Sequence, residues 1–240
     1  MKTILVSGGL GSLGSDMIKR LGQKKFRFIV VDNHQVPKNF LNDFPNSIYI
    51  KADVRKGREL SQNLSKVLKK EGIKLDGIVN TPAWSDFKDF SDTTFSAIDK
   101  IIKTKLVGYA NIIKSSLPYL NDHASIVNVA SVQAHSSREG TAMYSAANGG
   151  VISLTKALSV ELRHRKIRLN VITPGGFVTD IYKKTHSDWE QKLKNNQCLK
   201  IADISNVIIF LLNDSSVGIN GAEIIIDGGI SAMRTKSSDY

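Results

Sequence analysis

The sequence predicts an α/β fold built on one doubly wound, parallel, seven-stranded sheet with helices on both faces. Seven short apolar, β-branched runs recur along the chain, in the order TILVSG, FRFIVVD, SIYIKAD, LDGIVNT, ASIVNVAS, IRLNVITPG and AEIIIDGG. Their apolarity is continuous rather than alternating, which is typical of strands covered on both faces. Segments of helical period separate the runs, among them SDMIKRLGQ, ELSQNLSKVLKKEG and VISLTKALSVELRHR. Strands that alternate with helices indicate βαβ units.

The whole chain, 1–240, is predicted to form a single domain of the Rossmann type. A length of 240 residues suits one large domain, and no linker, internal repeat or low-complexity stretch divides it. Only a polar tail, over about 231–240, lies outside the pattern of strands and helices. In such a sheet, ligands bind beyond the carboxyl ends of the strands. The unusual residues of this chain fall at those ends: Gly8, Asp32, Asp53, Asn80, Ser131 and Pro174.

Composition indicates a globular protein from a reducing compartment. The hydrophobic fraction of 41% is enough to form a core, and the single cysteine, Cys198, permits no internal disulfide. No apolar run approaches the ~18 residues of a membrane span, and the first run is too short for a secretory signal. We therefore expect a cytoplasmic protein with no membrane partner.

The formal net charge of +11 raises the question of an anionic partner. The lysines are scattered, and the sequence carries no signature of a nucleic-acid module such as a zinc finger or an RRM. We expect a solvated basic surface, assisted by anionic ligands, with no nucleic-acid partner and no metal. Nucleic-acid binding stays as a third, remote alternative.

A glycine-rich turn follows the first strand and opens the first helix. In SGGLGSLG, Gly8, Gly11 and Gly14 permit a tight turn and a close approach of the backbone to a pyrophosphate at the helix N-terminus. Asp32 ends the second strand, eighteen residues after Gly14, where a carboxylate accepts hydrogen bonds from ribose hydroxyls. Its alternative role is that of a loop cap. No arginine follows it to bind a 2′-phosphate, so the sequence favours NAD over NADP.

Several ordered motifs resemble those of the short-chain dehydrogenase/reductase family, over roughly residues 3–229. IVNVAS, followed thirteen residues later by Tyr144, is similar to the family's serine–tyrosine pair, with Ser131 as the serine. LNVITPGGFVTD resembles the proline–glycine segment beside the nicotinamide, KADV the adenine-flanking segment, and INGAEIIIDGG the closing strand. The resemblance implies hydride transfer between NAD and a hydroxyl/carbonyl substrate. It implies these cofactor-binding residues: Gly8, Gly11, Ser12, Leu13, Gly14, Asp32, Asn33, Asp53, Val54, Asn80, Pro82, Tyr144, Asn148, Pro174, Gly175, Val178 and Thr179.

The chain departs from the family pattern at two motifs around the cofactor. The glycines match the T-G-x-x-G-x-x-G spacing of the extended branch, with Ser7 for threonine and Ser12 at the usual middle glycine. The family's N-N-A-G becomes NTPA, so Pro82 stiffens the loop after the fourth strand. We expect the altered glycine spacing to change how the phosphates are held while the tight turn is retained.

The catalytic tetrad carries the most consequential departure. Residue by residue, the family's asparagine–serine–tyrosine–lysine set falls on Lys105, Ser131, Tyr144 and Asn148, so asparagine and lysine have exchanged places. The resemblance gives Tyr144 the acid/base role, and a nearby ammonium lowers the pKa of a phenol from its usual ~10. We expect Lys105 to supply that charge from the neighbouring helix and Asn148 to keep a hydrogen bond to the ribose. The alternative is drift, which would leave a dinucleotide-binding pseudoenzyme or sensor.

The segment at about 177–200 lies where the family places its substrate lid. It mixes Tyr182 and Trp189 with several lysines, which suits a substrate with a carboxylate or phosphate, although solvated lysines on a helix face are the alternative. Trp84 is expected to overlook the cleft, and His135 to lie near it. The resemblance also implies a homodimer or homotetramer, packed through two long helices around 94–117 and 142–163.

Overall fold

The computed structural model describes residues 1–22, 26–195 and 197–232, and it confirms the predicted α/β fold. Asn196 of the predicted lid and residues 233–240 of the predicted tail lie outside the described residues. The parallel sheet has the strand order β3-β2-β1-β4-β5-β6-β9. Its strands are β1 (Lys2–Ser7), β2 (Phe26–Asp32), β3 (Ile48–Lys51), β4 (Leu75–Asn80), β5 (Leu120–Val129), β6 (Arg168–Pro174) and β9 (Glu223–Ile226). A separate pair joins β7 (Phe177–Val178) to β8 (Leu199–Lys200).

Helices connect the strands and cover both faces of the sheet. They are α1 (Ser12–Leu21), α2 (Phe40–Asp43), α3 (Gly57–Lys70), α4 (Phe95–Ile102), α5 (Gly108–Ser116), α6 (Ala142–Glu161), α7 (Asp180–Thr185), α8 (Trp189–Lys194) and α9 (Ile201–Leu212). A π-helical segment (Lys103–Val107) joins α4 to α5 without a break, so the predicted long helix around 94–117 is a composite of three parts. Among the described residues, no helix combines the length and apolarity needed to cross a bilayer.

Two hydrophobic cores lie on opposite faces of the sheet. On one face α3, α5 and α6 pack on the strands, and α3 buries Leu60, Leu64 and Leu68, which are four residues apart and therefore share a stripe. On the other face α1 and α9 bury residues such as Met17 and Ile208. Both faces of every central strand are covered, which explains the continuous apolar runs in the sequence.

The strand order reverses at β1, and this reversal positions a crevice. The chain moves outward from β1 to β2 and β3, and then returns to β4 on the opposite side of β1. The connections after β1 and β4 therefore diverge to opposite sides, and a crevice opens at the carboxyl ends of these strands.

Close packing of two helices fixes the π-helical segment beside α6. A Cβ added at Gly150 of α6 would lie 2.8 Å from Leu106 Cδ2, so glycine lets Leu106 approach the helix axis. Glycine inside a helix costs about 1 kcal/mol relative to alanine, and here the close approach accounts for it. The segment next to Leu106, including Lys105, is thereby held against α6. π-Helical turns within α-helices occur frequently at functional sites.

Candidate active site

A cleft of about 570 Å³ opens at the carboxyl ends of β1, β2, β4 and β5. Most of the residues predicted for the site line it: Gly8, Gly11, Ser12, Leu13, Asp32, Asn33, Asp53, Val54, Pro82, Lys105, Ser131, Tyr144, Pro174, Gly175 and Thr179. Trp84 lines it as well. Four other residues predicted for the site are not part of this lining: Gly14, Asn80, Asn148 and Val178. The cleft is large enough for a small organic ligand or cofactor.

The glycine-rich turn forms one end of the cleft and has no room for side chains. Gly8 has φ +69°, a left-handed conformation that favours glycine, and an added Cβ would lie 2.7 Å from Thr81 Oγ1. A Cβ at Gly14 would lie 2.6 Å from the Gly8 carbonyl oxygen. Within the described part of the chain no side chain caps the start of α1, and the first turn of this helix holds no acidic residue. The start of α1 is thus open to an anionic group.

Asp32 is buried at the end of β2 and is already hydrogen-bonded. Its Oδ2 accepts from the Leu10 amide at 3.1 Å, which ties the carboxylate to the glycine-rich turn. Its Oδ1 accepts from the His34 amide at 3.1 Å and lies 2.7 Å from the His34 ring Nδ1. Asp32 therefore does cap the loop while it lines the cleft. Each carboxylate oxygen has two lone pairs, so further donors can still bind.

Arg55 lines the cleft and is paired with a carboxylate. Arg55 donates to both oxygens of Asp53 at 2.6–3.0 Å. These hydrogen bonds lower the pKa of Asp53 and raise that of Arg55. A bidentate pair of this kind holds both side chains in place and neutralises the guanidinium charge.

Ser131 and Tyr144 form the opposite end of the cleft. The Ser131 hydroxyl follows β5 and accepts from the Gln133 amide at 3.3 Å. Tyr144 lies in the first turn of α6, and its ring meets Phe87 edge to face at 5.6 Å. Burial raises the pKa of Tyr144, while hydrogen bonding to Ser131 and Asn148 acts in the opposite direction. This differs from the expected depression, because burial of the phenol outweighs the stabilising contacts in the protein alone.

Lys105 is almost completely buried, with 2% of its surface exposed. Its amine donates to the Tyr109 hydroxyl at 3.0 Å, and burial lowers the pKa of Lys105 to about 7. At neutral pH the amine is thus protonated in only part of the molecules. The positive charge expected of Lys105 is therefore one that titrates near neutral pH.

Asn148 lies one turn after Tyr144 and is completely buried. Its Nδ2 donates to the Tyr144 backbone oxygen at 2.8 Å, while its Oδ1 is buried without a partner among the described residues. An unsatisfied buried acceptor costs about 1–3 kcal/mol, so the site is suited to a ligand that brings a donor.

Asn80 supports the sheet rather than the wall of the cleft. Ser7 Oγ donates to Asn80 Oδ1 at 2.7 Å, and Asn80 Nδ2 donates to Asn128 Oδ1 at 2.9 Å. Asn128 Nδ2 in turn donates to Thr155 Oγ1 at 2.9 Å. This buried chain links β1, β4, β5 and α6, so the Asn80 side chain positions the strands whose ends form the cleft.

The segment predicted as a lid begins and ends at a two-stranded sheet, in which Phe177 pairs with Leu199. Phe177 and Thr179 line the cleft. Tyr182 instead stacks on His186 at 4.0 Å and accepts a contact from Cys198 Sγ at 3.8 Å. The aromatic and basic residues of α7 and α8 therefore pack largely among themselves.

Several residues near the site were not predicted from the sequence. Tyr109 binds Lys105, and Phe87 covers Tyr144 with the Arg138 guanidinium 5.3 Å from the Phe87 ring. The Tyr109 contact had a signal, because residues four apart on a helix share a face. The Phe87–Arg138 contact joins two loops 51 residues apart and had none. His135, expected near the cleft, instead hydrogen-bonds Glu223 of β9.

Comparisons with known proteins agree with this architecture. A family model described as Enoyl-(Acyl carrier protein) reductase matches residues 9–231. The short-chain dehydrogenase/reductase aba4 of Botryotinia fuckeliana is 27% identical over 248 aligned positions, which cover 95% of this chain and 96% of that protein. Carbonyl reductase [NADPH] 2 of Sus scrofa is 32% identical over 167 positions, covering 66% and 68%. A crystal structure of a short chain dehydrogenase family protein from Francisella tularensis superposes with a TM-score of 0.82 at 26% identity, covering 97% and 100%. The chain belongs to the short-chain dehydrogenase/reductase family, a family of oxidoreductases.

Proposed function

We propose that the protein is an NAD-dependent oxidoreductase that interconverts a hydroxyl and a carbonyl group. The observation that carries this proposal is the shared cleft: Ser131, Tyr144 and Lys105 line the same cavity as the glycine-rich turn and Asp32. One end of the cavity suits a dinucleotide, and the other holds a hydroxyl, a phenol and an amine. Hydride chemistry on a CH–OH group needs a proton donor and acceptor at that place.

The residues present fit a nicotinamide dinucleotide. The glycine-rich turn has no space for a Cβ at Gly8 or Gly14, and the uncapped start of α1 suits a pyrophosphate. Asp32 would accept from the adenosine ribose, and the unpartnered Asn148 Oδ1 would accept from the other ribose. The dinucleotide, when bound, supplies or accepts the hydride.

The catalytic roles follow from the donors and acceptors. The Ser131 hydroxyl donates to the substrate oxygen and so holds it beside Tyr144. The Tyr144 phenol transfers the proton to or from that oxygen. Lys105 supplies the ionisable amine in place of the family lysine, because a phenolate at Tyr144 and a protonated amine nearby favour each other. Asn148 takes the ribose-binding part of that lysine's role.

We expect a preference for NAD over NADP, because among the described residues the adenosine end of the cleft offers no free guanidinium. The 2′-phosphate of NADP would meet the buried Asp32 carboxylate, and Arg55 is held by Asp53. The pig relative carries NADPH in its name, so this preference needs its own test. Fluorescence titrations with NADH and NADPH should give a lower Kd for NADH. Asp32→Asn should reduce the ratio of the NADPH Kd to the NADH Kd about tenfold. Tighter binding of NADPH to the unmodified protein would overturn the preference.

A substrate with an anionic group is the class that we favour. The Phe87 ring touches Tyr144, and the Arg138 guanidinium lies over that ring. An arginine one ring away from the proton donor would pair with a carboxylate or phosphate of such a substrate. Two of the lid lysines are less available to an anionic substrate than expected, because Lys183 pairs with Asp180 at 3.7 Å and Lys192 pairs with Asp188 at 3.1 Å.

A dinucleotide-binding protein without turnover is the second candidate. It is favoured by the raised pKa of Tyr144 and by the lowered pKa of Lys105, which leave both groups largely uncharged just above neutral pH. Oxidation of NADH with a panel of aldehydes, ketones and oxo-acids separates the two candidates. Turnover that is lost in Tyr144→Phe supports the enzyme. Tight NADH binding with no turnover on any class of carbonyl supports the sensor.

We further propose that the protein is a homo-oligomer that packs through α4, α5 and α6. Apolar side chains on these helices are exposed in the single chain, with Phe95 at 90% and Val160 at 74%. Light scattering at several concentrations would give the mass in solution. A concentration-independent monomer would contradict this proposal.

A further inference from the structure

Tyr109 is a buried tyrosine that the proposed reaction does not use. It lies in the first turn of α5, four residues after Lys105, and none of its surface is exposed. Its hydroxyl donates to the Val129 carbonyl oxygen at 3.0 Å and accepts from the Lys105 amine at 3.0 Å. Tyr109 thus connects the amine in the cleft to the end of β5.

The directions of these two hydrogen bonds are fixed by the donors available. A phenol has one proton, and the Val129 carbonyl can only accept, so that proton points to Val129. The phenol oxygen must then accept from Lys105. Within the part of the chain that the structure describes, this is the one hydrogen bond that the Lys105 amine makes. The position of the amine therefore depends on the oxygen of Tyr109.

We propose that Tyr109 is a positioning residue, which holds the Lys105 amine at the wall of the cleft that Tyr144 also lines. The proposal deepens the proposed function and rests on it, because the amine matters for the reaction only if Lys105 acts on Tyr144. The hydrogen bond from Tyr109 to Val129 also lies close to Ser131 in the chain, because only Ala130 separates Val129 from Ser131. One phenol thereby ties the position of the amine to the strand end that carries the substrate-binding hydroxyl.

Tyr109 interacts with two other ionisable groups: it accepts a hydrogen bond from Lys105, and it lies close enough to Tyr144 to be influenced by its charge. The three groups come from three elements: Lys105 from the π-helical segment, Tyr109 from α5 and Tyr144 from α6. Burial raises the pKa of Tyr109 well above its usual value, and the charge of Tyr144 raises it further. Tyr109 therefore stays protonated as its neighbours titrate, which suits a fixed acceptor better than a proton carrier.

An ordinary structural role is the competing explanation. A buried aromatic residue often needs one partner for its hydroxyl, and the Val129 carbonyl alone would satisfy it. In that case the lysine contact has no effect on the properties of the amine. The two explanations differ in what happens to the titration of Lys105 when the phenol oxygen is removed and the ring is kept.

The test compares Tyr109→Phe with a matched control, Tyr119→Phe. Tyr119 lies outside the cleft, and its hydroxyl donates to Ser65 at 2.9 Å. The first readout is the nitrogen NMR signal of the Lys105 side chain in isotope-labelled protein, assigned by its loss in Lys105→Met and followed against pH. An oxygen acceptor favours the charged amine, so Tyr109→Phe should lower the Lys105 pKa by about 1 unit. Tyr119→Phe should leave it unchanged.

A second readout separates this proposal from the proposed function. The ultraviolet titration of Tyr144 is measured in each variant, with the corresponding Tyr144→Phe protein subtracted. If Lys105→Met changes the pKa of Tyr144, Tyr109→Phe should change it in the same direction. The double variant should show no more change than Lys105→Met alone. An unchanged Lys105 titration in folded Tyr109→Phe overturns the positioning role. A Tyr144 titration indifferent to Lys105→Met refutes the role of Lys105 in the reaction, while the first readout still decides whether Tyr109 holds the amine.

Discussion

The Asn148 side chain donates to the Tyr144 backbone oxygen at 2.8 Å and leaves its own oxygen buried without a partner among the described residues. The amide nitrogen is bonded within its own helix, so the group that Asn148 leaves free, buried beside the lining of the cleft, is an acceptor rather than a charge. A lysine at this position would offer the opposite, a donor with a positive charge. Asparagine at this position thus calls for a hydrogen-bond donor, where a lysine would call for an acceptor.

Replacing Asn148 by leucine should weaken dinucleotide binding. The substitution keeps the volume roughly constant and removes the acceptor that we assign to the ribose, whose loss costs about 1 kcal/mol, or about fivefold in Kd. NADH fluorescence titration measures the change. Asn121→Leu is the control, because Asn121 bonds Asp76 away from the cleft. Equal Kd values for NADH in the two variants would show that Asn148 does not contribute to dinucleotide binding.

Replacing Lys105 by methionine should change how stability depends on pH. Burial lowers the pKa of Lys105 to about 7, so between this value and the ordinary value the unfolded chain binds more protons than the folded protein. Stability from this group therefore rises with pH, and the wild type should gain about 3 kcal/mol relative to Lys105→Met between about pH 7 and about pH 9.5. Urea unfolding at several pH values measures this difference.

A constant difference between the two proteins across that pH range would show that Lys105 titrates normally. The matched control is Lys103→Met, which removes an exposed lysine from the same π-helical segment. It gives the baseline for losing one positive charge from this surface.

Two adjacent glycines in α6 should respond differently to alanine. A Cβ at Gly149 meets nothing within 4 Å, so Gly149→Ala should stabilise the helix by about 0.5–1 kcal/mol. A Cβ at Gly150 would lie 2.8 Å from Leu106 Cδ2, so Gly150→Ala forces Leu106 to move and should lose that gain. Thermal unfolding of both variants is the measurement. Equal stabilisation would mean that the π-helical segment is not held by close packing on α6.

Replacing Arg138 by methionine should affect anionic substrates selectively. The guanidinium lies 5.3 Å from the Phe87 ring, and the loss of one charge-assisted hydrogen bond costs about 1.5–3 kcal/mol. For matched pairs of carbonyl compounds with and without a carboxylate, kcat/KM should fall at least tenfold only for the acids. An equal fall for both members of each pair would point to a packing effect on Phe87 instead.

The sequence allowed the seven-stranded sheet to be predicted because each of its strands carries its own local signal. Continuous apolar runs, a glycine-rich turn and helical periods repeat at short range, and their order implies a doubly wound sheet. Ser131 and Tyr144 were singled out by their resemblance to the family's serine–tyrosine pair, thirteen residues apart. Each of these features depends on neighbours in the chain.

The contacts between distant segments could not be predicted in the same way. The bond between Asn80 and Asn128 requires the register of β4 against β5, which brings two residues 48 apart into one row. The ionisation of Lys105 depends on how deeply the π-helical segment packs against α6, and no local pattern in the sequence gives that depth. Burial lowers the pKa of Lys105 and so weakens the positive charge expected there.

The most direct test of the account is the ultraviolet titration of Tyr144 in the NAD-saturated protein. Subtraction of Tyr144→Phe isolates this phenol, and Lys105→Met is measured beside it. The account predicts a phenol that ionises below the usual pKa of ~10 once the dinucleotide is bound, and that ionises at a higher pH in Lys105→Met. A phenol that stays at or above ~10 and is indifferent to Lys105 would contradict the account and favour a dinucleotide-binding protein without turnover.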